Sequence, residues 1–194
     1  MVDSVNHHRR SIRFHDFDYA SEGGYFVTIV SHHRLSLFGE VADGVMKLNL
    51  FGRIVWEEWF NSIKLRPNIN LLEDEFVVMP NHVHGIVWIV EKMVNKNNNH
   101  LPTVGAYCNT PLRSTSFSTM PSPSQTVGAI IRGFKGSVTK RVHILRNNFS
   151  EPVWQRNYYE HIISSERDYL NISEYIANNP LGWEMDKENI QDPN

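Results

Sequence analysis

Residues 75–90, Glu75-Phe76-Val77-Val78-Met79-Pro80-Asn81-His82-Val83-His84-Gly85-Ile86-Val87-Trp88-Ile89-Val90, form two runs rich in β-branched and aromatic residues, separated by a Pro-Asn turn signal. That pattern predicts an antiparallel hairpin. Side chains alternate across a strand, so His82 and His84 fall on one face, about 6.5–7 Å apart along the chain, and Val83 falls on the other. Two imidazoles placed this way can hold one metal ion between them. Two surface histidines that share no ligand are the plainer reading of the same pair.

Elements on either side extend the pattern. Residues 24–31 (GYFVTIVS) predict a first strand, and 48–64 (LNLFGRIVWEEWFNSIK) bring Leu50, Phe51, Ile54, Val55, Trp59 and Ile63 together at helical spacing, with Pro67 ending the helix. After the hairpin, 93–126 is rich in Asn, Ser, Thr and Pro and reads as a polar loop insertion. A second apolar stripe then runs through Val127, Ile130, Ile131, Phe134, Val138, Val142 and Leu145. Gly128, Gly133 and Gly136 interrupt this helix, each weakening it by about 1 kcal/mol relative to Ala, which points to close packing there. Residues 152–163 (PVWQRNYYEHII) predict a strand. Ser165 with Asp168 forms a capping-box pattern for a last helix reaching Asn178 or Asn179 before Pro180.

The resulting order, β-α-β-β-α-β-α, is that of an α+β domain: a ferredoxin-like, split βαβ antiparallel sheet with an added C-terminal helix. One domain is expected over 1–183, followed by an acidic, flexible tail at 184–194. With 194 residues and 41% hydrophobic side chains, the chain can bury a core of its own. Its single cysteine, Cys108, excludes an internal disulfide. The polar start is not a secretory signal, and no apolar run approaches the roughly 20 residues needed to span a bilayer, so a cytoplasmic protein is expected, with no membrane partner.

A net charge of −2 argues against a generally basic nucleic-acid binder, but the charges are unevenly spread. Between Lys92 and Ser150 there is no Asp or Glu, while Lys92, Lys96, Arg113, Arg132, Lys135, Lys140, Arg141 and Arg146 all fall there. Arg132, Lys135 and Lys140 are therefore candidate contacts to a nucleic-acid backbone, with a solvated helix face as the alternative.

The last helix holds a second chemical pattern. Tyr175 and Asn179 are four residues apart and share a helix face, while Tyr169, Ile172 and Ile176 form the stripe expected to pack on the sheet. An Asn carbonyl oxygen is a hard ligand of the kind Mg²⁺ or Mn²⁺ accepts, and a tyrosine one turn earlier holds its phenol near the same ion. The structural alternative makes Tyr175 an amphipathic packing residue and Asn179 a helix cap. Trp154, Tyr158 and Tyr159 are read as core and strand packing rather than base stacking. His161 is read as structural or as a DNA contact, outside any metal site.

Five stretches together resemble the REP-associated tyrosine transposases, within the single-tyrosine HUH transposases: 9–41 (RRSIRFHDFDYASEGGYFVTIVSHHRLSLFGEV), FVVMPNHVHGIVWIV, GAIIRGFKGSVTK, VWQRNYYEHII and YIANNP. The resemblance implies a metal-dependent single-stranded DNA endonuclease and strand transferase acting on single-stranded or hairpin DNA. It further implies His82, His84 and Asn179 as ligands of Mg²⁺ or Mn²⁺, and Tyr175, on a catalytic C-terminal helix, as the nucleophile that forms a 5′-phosphotyrosine. Val83 fits the hydrophobic middle position of the His-x-His motif. The 93–126 insertion departs from the compact family pattern. Monomer and homodimer are both compatible with the resemblance. The rival readings are a non-catalytic ferredoxin-like nucleic-acid-binding module and a different metallo-phosphodiesterase.

Overall fold

The computed structural model describes residues 21–90 and 126–189. Strand β1 (Gly23–Val30) is buried along nearly its whole length, which marks it as a central strand. A short hairpin follows, β2 (Gly39–Ala42) and β3 (Val45–Leu48), turning at Asp43-Gly44 with positive φ at both residues (54° and 70°). Helix α1 (Leu50–Leu65) begins at Asn49, whose side-chain oxygen accepts from the backbone N–H groups of Phe51 and Gly52. It buries Ile54, Val55 and Trp59, whereas Leu50, expected in the apolar stripe, lies in the first turn and is exposed.

Strands β4 (Ile69–Asn70) and β5 (Phe76–Val78) both pair with β6 (His82–Ile89), and β5 and β6 form the predicted hairpin across Met79-Pro80-Asn81. Helix α2 (Val127–Arg146) is capped by the Thr126 hydroxyl at its start and by left-handed Asn147 at its end. Strand β7 (Tyr159–Ile162) and helix α3 (Glu166–Asn178) complete the order. Apart from Thr126, the insertion predicted at 93–126 lies outside the described residues.

β6 lies between β4/β5 and β1, with β7 on the far side of β1, and every pairing is antiparallel. This is the split βαβ arrangement predicted for an α+β chain, with α3 added after the last strand. Helices α1 and α2 share one sheet face. There Val27, Ile29, Val83 and Val87 of the central strands meet Val55, Trp59, Ile130, Phe134 and Val138 in the main core. Trp59 stacks on Phe76 at 4.5 Å and meets Phe134 edge-on at 5.2 Å; burying each such side chain stabilises the fold by about 1.5–3 kcal/mol. The opposite face carries a smaller cluster in which Ile176, Tyr169 and Ile172 of α3 pack on Phe26, Ile86, Val77 and Trp88.

Three details differ from the sequence pattern. Leu145, assigned to the α2 stripe, is exposed near the helix end. The strand predicted over 152–163 is laddered only at its C-terminal part: Trp154 bridges Ser31, then the chain departs before β7. Over that departure the Lys135 ammonium donates to the carbonyls of Gln155, Arg156 and Asn157, replacing the missing ladder bonds. Residues 184–189, expected in a flexible tail, are held against the domain. Arg34 pairs with Glu188, and Asn81 Nδ2 donates to the Glu188 carbonyl at 2.7 Å. Among the described residues no helix is long and apolar enough to cross a membrane.

Candidate active site

The alternation of β6 places Val83 in the main core and turns His82 and His84 toward the opposite face, beneath α3 and the segment that follows it. Both imidazoles are buried, with ring centroids 4.5 Å apart. Gly85, next to the pair, faces the main core, where an added Cβ would come within 2.7 Å of Trp59 and 2.8 Å of Phe76. The aromatic layer thus approaches the strand backbone closely and fixes the height of the histidine strand on the core.

Each imidazole is oriented through Nδ1. His82 Nδ1 lies 2.8 Å from Asn81 Oδ1. The Asn81 amide nitrogen already donates to the carbonyls of Arg34 (3.1 Å) and Glu188 (2.7 Å), so Oδ1 is the acceptor and His82 Nδ1 the donor. The Nε2 lone pair of His82 is left facing the site, buried and without a hydrogen bond. His84 Nδ1 lies 2.8 Å from the Thr28 hydroxyl, and its Nε2 lies 3.1 Å from the hydroxyl of Tyr175. Phe26 stacks on the other side of the His84 ring at 5.4 Å.

Helix α3 supplies the opposing groups. Ser165 caps its start by accepting from the Asp168 N–H, and Asp168 in turn accepts from Ser164 and His161, so His161 is engaged in anchoring the helix. One turn apart at the far end, Tyr175 and Asn179 project into the site. Asn179 Nδ2 donates to Asp186 Oδ2 at 3.2 Å, and its Oδ1 is a second buried atom with no hydrogen bond. Asp186, on the segment after the Trp183–Met185 turn, brings a carboxylate within 4.0 Å of His82 Nε2. Ligand atoms of His82, His84 and Asp186 lie within 4.8 Å of one another.

Two buried, unpartnered acceptors facing a carboxylate are costly unless something binds them. Nitrogen and oxygen donors in this mixture suit a divalent first-row ion or Mg²⁺. The electrostatics agree. Burial lowers the His82 pKa to about 4 against the opposing pull of Asp186, and burial together with His82 lowers that of His84 well below its usual value. Neutral imidazoles are the ligating form. Burial and the Asp186 charge raise the pKa of the Tyr175 phenol. A polar cleft of about 610 Å³ opens beside this group, lined by Asn171, Glu174, Tyr175, Asn178, Asn179 and Asp186, among others.

The residues singled out by sequence do not all converge. His82, His84, Tyr175 and Asn179 meet in one place, whereas Arg132, Lys135 and Lys140 are on α2, on the other side of the sheet. Arg132 and Lys140 are exposed. The Lys135 ammonium is half-buried against the carbonyls of residues 155–157, and desolvation lowers its pKa to about 8. Asp186, Asn81 and Thr28 were missed as site residues. Asn81 carried only a turn signal, and Asp186 only membership of an acidic tail. Tyr159, assigned to packing with Trp154 and Tyr158, is 49% exposed on the site face.

No family model matches the chain. Its architecture is that of a REP-associated tyrosine transposase whose structure is described as bound to a REP hairpin, with a TM-score of 0.53 at 18% identity over 91% of this chain and 77% of that one. The resemblance read from the motifs is thus borne out in the fold. In sequence, the chain is 44% identical over 183 residues to a Haemophilus influenzae protein described as uncharacterised, covering 93% of each. The chain belongs to the same family as that protein.

Proposed function

We propose that this protein is a metal-dependent transposase-type enzyme that nicks and rejoins single-stranded or hairpin DNA, with Tyr175 as its nucleophile. The observation that carries the reading is the meeting of the Tyr175 hydroxyl, 3.1 Å from His84 Nε2, with the unpartnered buried atoms His82 Nε2 and Asn179 Oδ1. His82, His84 and Asn179 would hold one Mg²⁺ or Mn²⁺, with Asp186 beside them. Such an ion offsets negative charge on the non-bridging phosphate oxygens and counters the acidic Asp186 at the phenol.

In the reaction, the Tyr175 oxygen attacks phosphorus in line with the P–O3′ bond as the phenolic proton passes to water in the cleft, which returns a proton to the leaving oxygen. That bond breaks, the departing oxygen takes up a proton to become a free 3′-OH, and the 5′-phosphate remains on Tyr175. The phenol, with a reference pKa near 10, leaves more readily than a sugar hydroxyl, so a 3′-OH can reverse the step without an external energy source. Asn81 and Thr28 hold the imidazoles in place, and Phe26 walls the site from the sheet side.

Arg132 and Lys140 are proposed to contact the DNA backbone, whereas the ammonium of Lys135, grouped with them in the sequence, is taken up by the carbonyls of residues 155–157. A groove of about 480 Å³ between α2 and residues 152–156 is lined by Lys135, Thr139, Lys140 and Arg156. Its floor includes Trp154, which bridges Ser31 next to the Val30–His82 pair, so the groove opens at the same end of the sheet as the histidines. The test is a nicking assay on 5′-labelled hairpin-forming single strands with Mn²⁺. His82→Ala/His84→Ala should lose cleavage and retain most DNA affinity and the fold; undiminished metal-dependent nicking contradicts the reading.

A further inference from the structure

The Tyr158-Tyr159 pair divides between the two sheet faces. Tyr158 packs against the main core, and Glu160, which pairs with core residue Val27, lies on that same side. Tyr159 therefore faces the site. In the register of the sheet, Tyr159 pairs with Thr28 and Thr28 pairs with His84, placing the three side by side across β7, β1 and β6. α3 covers this face over Phe26, Ile86 and Trp88 and is tied to β7 at His161, whereas Tyr159, at the start of β7, is 49% exposed.

Phe26 links the two exposed tyrosines. Its ring meets Tyr159 edge-on at 6.4 Å and Tyr175 edge-on at 6.1 Å, with His84 stacked on it at 5.4 Å. Phe26 is nearly buried, whereas Tyr159 and Tyr175, each edge-on to it, are 49% and 46% exposed. Both rings lie within 6.4 Å of the Phe26 ring, so a nucleotide adjoining a phosphate held at the Tyr175 hydroxyl is within reach of Tyr159. Aromatic rings exposed on a sheet face accept unpaired bases by stacking, whatever the base.

Resting on the DNA-nicking reading above, we infer that Tyr159 is a positioning residue: its ring stacks on an unpaired nucleobase beside the scissile phosphate and so fixes the strand's register relative to Tyr175. The chemical class recognised is a single-stranded base, not a duplex step or a protein side chain.

The probes are fluorescein-labelled dT12 and a 12-mer of identical phosphate number made of abasic residues, titrated by anisotropy in EDTA so that no cleavage intervenes. Wild type should bind dT12 more tightly than the abasic strand. Tyr159→Ala should narrow that gap by about 5- to 100-fold, the range expected for one lost stacking contact, with the abasic affinity unchanged. Tyr159→Phe and Tyr159→Trp should keep the gap. No gap in wild type, a full gap in Tyr159→Ala, or equal weakening toward both strands overturns the inference; the last would mark a structural or phosphate role. Because binding is read without metal, loss of the gap is separable from failure of Tyr175 to act as nucleophile, which is read by covalent adduct formation.

Discussion

Asn81 accepts a 2.8 Å hydrogen bond from His82 Nδ1 while its own amide group is fixed by two backbone carbonyls, and this single side chain sets which nitrogen of His82 faces the site. Outer partners of this kind typically contribute 10- to 100-fold to metal affinity. Asn81→Ala should therefore weaken Mn²⁺ binding, followed by calorimetry or by the Mn²⁺ electron paramagnetic resonance signal, by about that factor, with the circular dichroism spectrum unchanged. An unaltered affinity would remove Asn81 from the site.

Stability should fall in mild acid. His82 is lowered to about 4 and His84 well below its ordinary value, both chiefly by burial, whereas in the unfolded chain they titrate near about 6.5. The folded state thus binds fewer protons below that pH. The stabilisation is complete above about pH 6.5 and is lost as pH drops toward 4, amounting for His82 to roughly 3 kcal/mol. The thermal midpoint of the metal-free protein should be flat from pH 8 to 7 and decline from 6.5 to 4, less steeply in His82→Asn. A wild-type midpoint constant down to pH 5 contradicts this.

Gly85 is required by the aromatic layer beneath the histidines. A methyl group there would lie 2.7 Å from Trp59, a ring already packed against Phe76 and Phe134, so neither neighbour can yield easily. Gly85→Ala should cost about 1–3 kcal/mol in chemical denaturation, the usual range for overpacking. It should also weaken metal binding by displacing His84. A neutral substitution would show that the layer is softer than its geometry implies.

The three basic residues of α2 should separate by experiment. Arg132→Ala/Lys140→Ala should weaken binding to single-stranded DNA across sequences and reduce the salt slope by about 1.4, with no loss of stability. Lys135→Ala removes the donor to the carbonyls of residues 155–157 and should lower stability by about 1–3 kcal/mol as well. An unchanged salt slope in the double variant assigns Arg132 and Lys140 to a solvated surface.

Much of this architecture was legible in local sequence. The period-2 pattern around Pro80-Asn81 specified the hairpin and the common facing of His82 and His84, and the i, i+4 relation of Tyr175 and Asn179 specified their shared face. Asp43-Gly44 between two short β-rich runs was a readable hairpin signal that went unused. What local pattern does not encode is long-range partnership. Asp186 reaches His82 only because the chain turns back after Pro180, and the carbonyls that orient Asn81 come from Arg34 and Glu188, far away in sequence. Tyr158 and Tyr159 look alike in sequence and separate only once the strand's faces are assigned. The strand predicted from 152 starts only at Tyr159 for a similar reason, since a lysine from another element takes over the carbonyls that a ladder would have used.

In the proposed reaction Tyr175 becomes joined to DNA. Tyr169 packs on Trp88 at 5.7 Å and Tyr158 lies against the core, whereas Tyr175 alone among the described tyrosines has its hydroxyl at the histidine pair. The most direct measurement is mass spectrometry of the protease-digested protein after incubation with Mn²⁺ and a hairpin-flanked single-stranded oligonucleotide. A nucleotide 5′-phosphate is expected on the peptide containing Tyr175, and its loss in Tyr175→Phe, which should still bind metal and DNA. An adduct on another tyrosine, or one that persists in Tyr175→Phe, would contradict it.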